Sequence, residues 1–250
     1  MAQSDLNSYF IFCLAGLGTR FTDVGIDCPK YLLPINDNQT TVLEESLASF
    51  KLSKNFKILL CCNESHRLYE KKIKDILNFV NNDYEIIYTE NTMGQAHTAY
   101  IASQYINSKY LDKPVVFFNG DTILKKRNLH GMILEMENSS GLIDCFISQS
   151  DEFSYIKTSN ENYVSDIQEK MCISNKATSG LYLFSSISIY LEAFENERFL
   201  DSGSEIYISQ VYKSMISKGK KIKCNLDVDI DNTIILGTPK QYAQFLESNQ

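Results

Sequence analysis

The sequence predicts an α/β protein with a central sheet that contains parallel strand pairs. Short, apolar, β-rich runs alternate with segments of helical period, the pattern of strands joined by crossover helices. The alternation begins at Tyr9 and runs to Leu246 without an internal repeat or a linker, so residues 1–250 read as one domain. Hydrophobic residues at 44% and charged residues at 22% are close to globular averages, and 11 Gly with 4 Pro exclude collagen-like or low-complexity chain.

In order along the chain, Tyr9 to Leu14 is a buried strand that ends in a glycine loop, and Val42 to Phe50 is a helix with Val42, Leu43, Leu47 and Phe50 apolar. Phe56 to Cys62 is the second strand. Asn63 precedes a helix from about Glu64 to Val80, with Leu68, Ile73, Ile76, Leu77 and Val80 on one face. Tyr84 to Tyr88 is strand, Gln95 to Ile106 helix, and Pro114 to Phe118 a very apolar strand. A helix follows near Leu129 to Glu137 and a strand at Leu142 to Ser148. The polar stretch of about 149–180 carries Tyr155-Ile156 and Tyr163-Val164, short alternating runs that suggest a small antiparallel insertion. Gly180 to Phe184 is strand, Ile206 to Ile216 helix, Lys221 to Ile230 an alternating strand, and Pro239 to Leu246 a final helix with proline in its first turn.

Charge and composition restrict the function. A formal net charge of -7 repels a phosphate backbone, and no basic run compensates, so nucleic acid is not an expected partner. The first eight residues lack the basic and apolar parts of a signal peptide, and no apolar run approaches the roughly 20 residues that span a bilayer. A cytoplasmic protein without membrane contact is expected. Seven cysteines form an odd set without CxxC spacing, and several lie in apolar runs, which argues against disulfides and structural zinc. His66, His97 and His130 are scattered singly, as structural or solvated histidines are.

The chemistry concentrates in a few places. Gly16-Leu17-Gly18-Thr19-Arg20 follows the first strand directly, where glycines let backbone N–H groups approach phosphate oxygens and an arginine can hold them bidentately. It is neither a dinucleotide GxGxxG nor a Walker loop, for lack of a third glycine and of GK[ST]. Ten residues on, Pro29-Lys30 leads into the apolar Tyr31-Leu32-Leu33-Pro34-Ile35, which can anchor the lysine against the core.

GxGTR followed by PK resembles the signature of nucleotidyltransferases that make activated sugars or alcohols from a nucleoside triphosphate and a phosphomonoester. The loop Phe21 to Cys28 is longer than is common there. Met93-Gly94-Gln95-Ala96 resembles the family's base-recognition turn, in which Gln95 offers an acceptor and a donor to a pyrimidine edge. Phe117-Phe118-Asn119-Gly120-Asp121 resembles its strand-end GD, whose aspartate binds Mg²⁺. Glu169-Lys170, with Ala177 to Tyr182 after it, resembles the acceptor-binding EK and GLY segments, and Gly237-Thr238-Pro239 the tripeptide before the last helix. The wording is similar to that of small bacterial members in capsule and surface-polysaccharide pathways, such as CTP:phosphoglutamine cytidylyltransferase.

The resemblance implies a mixed, mostly parallel Rossmann-like sheet flanked by helices, of the nucleotide-diphospho-sugar transferase (GT-A-like) kind, with the nucleotide over the strand ends. It assigns catalysis to Arg20 and Lys30. It gives nucleotide binding to Leu14, Ala15, Gly16, Gly18, Thr19, Gln95 and Gly120, and acceptor binding to Glu169, Lys170 and Gly180. Mg²⁺ falls to Asp121. Many members carry a second metal aspartate two residues before the GTP glycine, where this chain has Ile235. Asp227, Asp229 and Asp231 alternate on the expected strand and would share a face, so Asp229 or Asp231 can replace that ligand, and a solvated strand edge fits equally well. The expected substrates are a nucleoside triphosphate, CTP before UTP, dTTP or GTP, and a phosphorylated small acceptor. Homo-oligomerisation is left open. The rivals are a nucleotide-binding regulatory subunit without turnover and a glycosyltransferase that uses Asp229 and Asp231.

Overall fold

A computed structural model of the chain describes residues 8–50, 52, 54–80, 83–159, 161–197 and 199–248. Its central strand, β1 (Ser8–Leu14), runs parallel to β2 (Phe56–Asn63) on one side and to β4 (Val115–Phe118) on the other, and β3 (Tyr84–Thr89) continues the parallel set beyond β2. On the far side of β4 the direction changes. β9 (Lys176–Phe184) is antiparallel to both β4 and β6 (Gly141–Ile147), and β10 (Ile222–Asp227) runs parallel to β6, giving the order β10-β6-β9-β4-β1-β2-β3. A hairpin of β7 (Tyr155–Thr158) and β8 (Val164–Gln168) joins β9 through β7, while β5 (Thr122–Leu124) and β11 (Thr233–Ile235) form a separate antiparallel pair. The sheet is therefore mixed and mostly parallel, with an antiparallel hairpin inside the polar stretch.

After Ser8, β1 is apolar, as β4 is throughout, because both faces of the sheet are covered. Successive residues of β1 feed opposite layers, as strand geometry requires. Tyr9 and Ile11 pack in the layer beneath α4 (Gln95–Gln104), α6 (Ile187–Asn196) and α7 (Ile208–Ser217). Phe10, Phe12 and Leu14 pack in the layer of α2 (Val42–Phe50), α3 (Glu70–Val80) and α5 (Leu129–Glu135). The short α1 (Thr19–Thr22) and the last helix, α8 (Pro239–Ser248), meet in a smaller cluster through Phe21 and Tyr242. Thr41 and Glu44 form a reciprocal cap at the start of α2, with Thr41 N donating to Glu44 Oε2 at 2.6 Å and Glu44 N to Thr41 Oγ1 at 3.2 Å. No described helix is long and apolar enough to cross a membrane.

Several expected elements change on folding. The helix expected from Glu64 is a 3₁₀ turn over Glu64–Tyr69 and becomes α-helical only at Glu70. That turn rotates Leu68 outward to 75% exposure, although Ile73, Ile76 and Leu77 are buried as their spacing predicts. α6 was not expected, because Ile, Ser and Tyr mask its period. Ser186 caps it by accepting from Ile189 N at 3.2 Å, and Ile187, Tyr190 and Phe194 form its buried stripe.

The expected strand over Lys221 to Ile230 ends at Asp227, and a 3₁₀ turn over Ile230–Asn232 follows. Asp227, Asp229 and Asp231 therefore do not share a strand face. Asp227 Oδ1 accepts from Asp229 N at 2.9 Å, and Asp229 Oδ1 from Asp231 N at 3.2 Å. These aspartates fold the chain into successive turns by bonding to backbone two residues on.

Candidate active site

A cleft of about 680 Å³ opens above the ends of β1 and β4 and the middle of β9. It brings together Gly16, Gly18, Thr19, Arg20, Lys30, Gln95, Asp121, Glu169, Lys170 and Gly180, which lie up to 164 residues apart in the sequence. On the first wall, Gly18 takes φ +66 and N-caps α1, which turns the loop over the cleft and leaves Arg20 exposed at its rim. The opposite lip is the turn Met93-Gly94. A Cβ on Gly94 would lie 2.7 Å from the Ile206 carbonyl, so only glycine lets this turn approach the segment before α7. Gln95 begins α4 behind that turn, and its Nε2 is buried without a hydrogen-bond partner among the described residues.

Lys30 and Asp121 meet at the centre. Lys30 sits in a 3₁₀ turn whose next two residues, Tyr31 and Leu32, are buried, and Tyr31 Oη lies 3.1 Å from His66 Nδ1. That buried anchor fixes the backbone from which the lysine reaches Asp121, Nζ to Oδ2 at 2.5 Å. Burial lowers the His66 pKa below its ordinary value, which favours the neutral ring at this contact. Gly237 faces the same carboxylate, and a Cβ there would come to 3.1 Å from Oδ2. Asp121 thus already holds a cationic group on an oxygen around which the neighbouring backbone leaves room.

This donor set fits a hard divalent cation held by one carboxylate and substrate phosphates. Ile235 lines the same cleft and offers no oxygen from its side chain. Among the described residues no group of three or more His, Cys, Asp or Glu could hold a metal ion without substrate.

The third wall carries Glu169 and Lys170. Ser154 and Ser209 both donate to Glu169 Oε2, the latter at 2.7 Å, and together they fix the carboxylate. Lys170 takes φ +51, an uncommon left-handed conformation for a lysine that turns the chain after β8. Its Nζ donates to Tyr207 Oη at 2.9 Å, and Tyr207 donates onward to Glu205. The contact with Tyr207 raises the Lys170 pKa above its ordinary value, so the ammonium form is favoured.

A family model described as Nucleotidyl transferase matches residues 11–230. The chain belongs to the nucleotidyl transferase family. In fold, this nucleotidyltransferase is similar to the nucleoside-diphosphate-sugar pyrophosphorylase of Vibrio cholerae RC9, at 24% identity and a TM-score of 0.81 over 95% of this chain and 99% of that one. It is similar as well to a UDP-glucose pyrophosphorylase complexed with UDP-glucose, at 15% identity and a TM-score of 0.77 over 98% of each chain. HddC from Yersinia pseudotuberculosis matches at 19% identity and a TM-score of 0.66 over 98% of this chain and 100% of that one. A comparison with curated proteins finds no match.

Other expected site residues of the transferase lie elsewhere. Leu14 and Ala15 are buried behind the glycine loop, and Gly120 packs on Leu14, where a Cβ would meet Cδ2 at 2.5 Å. These three shape the cleft floor from behind. Asp229 and Asp231 lie outside the cleft lining, in the exposed turn after β10, where Asp229 Oδ2 is 3.5 Å from Lys126 Nζ.

Behind β9 lies a buried network with no counterpart in the sequence reading. Arg127 Nε donates to both oxygens of Asp144, at 3.0 and 3.1 Å, and its other nitrogens reach Asp227 and, at 2.9 Å, Thr233 Oγ1. Ser179 in the cleft wall donates to Asp144 Oδ2 at 2.6 Å, and Asn225 Nδ2 to Oδ1 at 2.6 Å. Burial pushes the Asp144 pKa up, while Arg127, Ser179 and Asn225 pull it down. Asn119, Glu205, Tyr207 and Ser209 also escaped the sequence reading. Only Asn119, directly before the GD pair, adjoins a legible motif.

Proposed function

We propose that the enzyme transfers a nucleoside monophosphate from a nucleoside triphosphate, with CTP preferred, to a phosphorylated small acceptor and releases pyrophosphate. Phosphoglutamine is the favoured acceptor and a sugar 1-phosphate the alternative, in a cytoplasmic step towards capsule or surface-polysaccharide precursors. The observation that carries this reading is the Lys30–Asp121 pair at the centre of a cleft with a glycine-arginine loop on one wall and Glu169-Lys170 on another. A pyrimidine is favoured because the buried Nε2 of Gln95 offers a donor to the acceptor atoms of its edge, and CTP is placed first because the motif wording resembles that of cytidylyl-transferring members.

An acceptor phosphate oxygen attacks the α-phosphorus, one P–O bond forms, and the bond to the β-phosphate bridging oxygen breaks as pyrophosphate departs. The task is alignment and charge neutralisation, with no covalent intermediate on the protein. Gly16, Gly18 and Thr19 border the triphosphate, and Arg20 and Lys30 meet its charge. Lys170 holds the acceptor phosphate and Glu169 its polar groups. A divalent cation bound by Asp121 would supply further charge neutralisation on the phosphates.

A matrix of CTP, UTP, dTTP, GTP and ATP against phosphoglutamine, phosphocholine and sugar 1-phosphates, with Mg²⁺ and pyrophosphate detection, tests the reading. CTP with phosphoglutamine should give the highest kcat/KM. A purine nucleotide leading across all acceptors defeats the base assignment, and the absence of pyrophosphate throughout defeats the reaction. A nucleoside diphosphate released only from a nucleotide sugar identifies a glycosyltransferase.

Lys30→Ala should lower kcat by about 10²–10³, because the lysine is a preorganised donor to charge that develops during transfer. Lys30→Arg should rescue poorly, since a planar fork differs in shape from a compact ammonium. A rise in KM with unchanged kcat would show uniform binding instead. Glu169→Ala should raise the acceptor KM about tenfold, the scale of one charged hydrogen bond, and leave the KM for the nucleotide nearly unchanged. Weaker nucleotide binding with an unchanged acceptor KM would contradict the assignment.

A further inference from the structure

Asn119 directly follows β4 in the chain, and its amide carries a polar atom that the fold leaves unsatisfied. Oδ1 is closed to solvent and has no hydrogen-bond partner among the described residues. Native interiors seldom leave such an atom without a role, because desolvating a carbonyl oxygen without a donor is unfavourable.

The surroundings show which substrate it faces. Phe118 pairs with Leu181 across the antiparallel β4–β9 ladder, and Asn119 lies one residue beyond, beside Gly180. A Cβ on Gly180 would stand 2.6 Å from Asn119 Nδ2 and 3.0 Å from Cγ, and Gly180 takes φ +84. Glycine is required there in part because it makes room for this amide. Asn119 therefore leans on the acceptor strand, while Asp121, two residues on, faces Lys30. The residue also lines the cleft, and the soft Cβ–Cγ torsion of an asparagine allows its amide to turn towards a ligand.

We propose that Asn119 reads the acceptor, with Oδ1 receiving a hydrogen bond from an O–H or N–H group close to the transferred phosphate. This rests on the nucleotidyl-transfer reading above and narrows its substrate class. The acceptor is a phosphomonoester or phosphoramidate with a donor beside its phosphorus, as in glucose 1-phosphate through its 2-hydroxyl or phosphoglutamine through its N–H. Phosphocholine has no such donor. A site built to bond a donor strongly rejects the analogue that lacks it, since the site's own polar atom is then left unpaired.

The test compares wild type and Asn119→Leu, a replacement of similar size without polar atoms, with phosphoglutamine, glucose 1-phosphate, 2-deoxyglucose 1-phosphate and phosphocholine. For wild type, kcat/KM with the better donor-bearing acceptor should exceed that with phosphocholine at least tenfold, and glucose 1-phosphate should exceed its 2-deoxy analogue by a similar factor. Asn119→Leu should erase both differences through the acceptor KM and keep the KM for CTP within twofold. Retained discrimination in the variant, a preference of wild type for phosphocholine, or an effect confined to CTP overturns the proposal.

Wild-type protein that releases no pyrophosphate with any nucleotide defeats the transfer reading separately. In that event, calorimetric titration of both proteins with phosphoglutamine and glucose 1-phosphate decides the role of Asn119. At least tenfold weaker binding of one of these to the variant supports it, and equal affinities overturn it. If Asn119→Leu does not fold, the wild-type comparison of glucose 1-phosphate with its 2-deoxy analogue stands alone, and equal kcat/KM or equal affinity rejects the proposal.

Discussion

Asp121→Asn is expected to lower kcat by about 10³ or more, the largest effect of any single change in the cleft. The substitution keeps the size of the side chain and removes the carboxylate proposed to hold a divalent cation against the triphosphate. Metal stabilisation of phosphoryl charge contributes several kcal/mol, and each 1.36 kcal/mol is a factor of ten in rate. The position two residues before Gly237 offers no substitute, because Ile235 lines the cleft there without a carboxylate, and Asp229 and Asp231 lie outside it. Stability should hardly change. The ion pair with Lys30 is partly open to solvent, with side-chain exposures of 31% and 15%, and exposed pairs are worth about 0–1 kcal/mol. Pyrophosphate release at several Mg²⁺ concentrations checks this, and a near-normal kcat with ordinary Mg²⁺ dependence would remove Asp121 from the metal site.

Arg127→Ala should act on stability instead, at a cost of about 3–5 kcal/mol, because it leaves the buried Asp144 carboxylate without its cation. The arginine is 5% exposed and Asp144 is fully buried, so water cannot readily replace the lost charge. Urea unfolding measures the effect. The variant should also lose more affinity for the acceptor than for the nucleotide, since Asp144 accepts a hydrogen bond from Ser179 in the wall proposed to bind the acceptor. A loss below about 1 kcal/mol would show that the network is not a stabilising centre.

The sequence made the cleft legible where a short local pattern carried the chemistry, as at Gly16 to Arg20 and Pro29-Lys30, or where a segment resembles a family motif, as at Gln95, Asp121 and Glu169-Lys170. Gly16 to Arg20, Lys30, Gln95, Asp121 and Glu169-Lys170 each sit at a turn or element end marked by neighbouring glycine, proline or apolar residues, and folding gathers all of them. Tyr207 and Ser209 carry no such mark. They reach the Glu169-Lys170 wall only because α7 packs against β8, a contact between distant segments. The same limit hid the place of β9, whose antiparallel insertion between β4 and β6 is fixed by pairing across the sheet and not by its own period. Asp227, Asp229 and Asp231 misled in the opposite way. A period of two is shared by strands and by aspartates that bond to backbone two residues on, and here the turns win.

The reversal of direction at β4 bears on how such a protein can diversify. The parallel strands β3, β2, β1 and β4 carry the glycine loop and Asp121, whereas Glu169, Lys170 and Gly180 belong to β9 and its hairpin. In the sheet the two sets meet along four residue pairs, from Val115–Phe184 to Phe118–Leu181. Mutations that remodel β7, β8 or the turn at Lys170 can thus accumulate without disturbing the register that holds the glycine loop and Asp121 in place. On the proposed assignment, a lineage can exchange one phosphorylated acceptor for another and inherit the nucleotide half of the cleft intact.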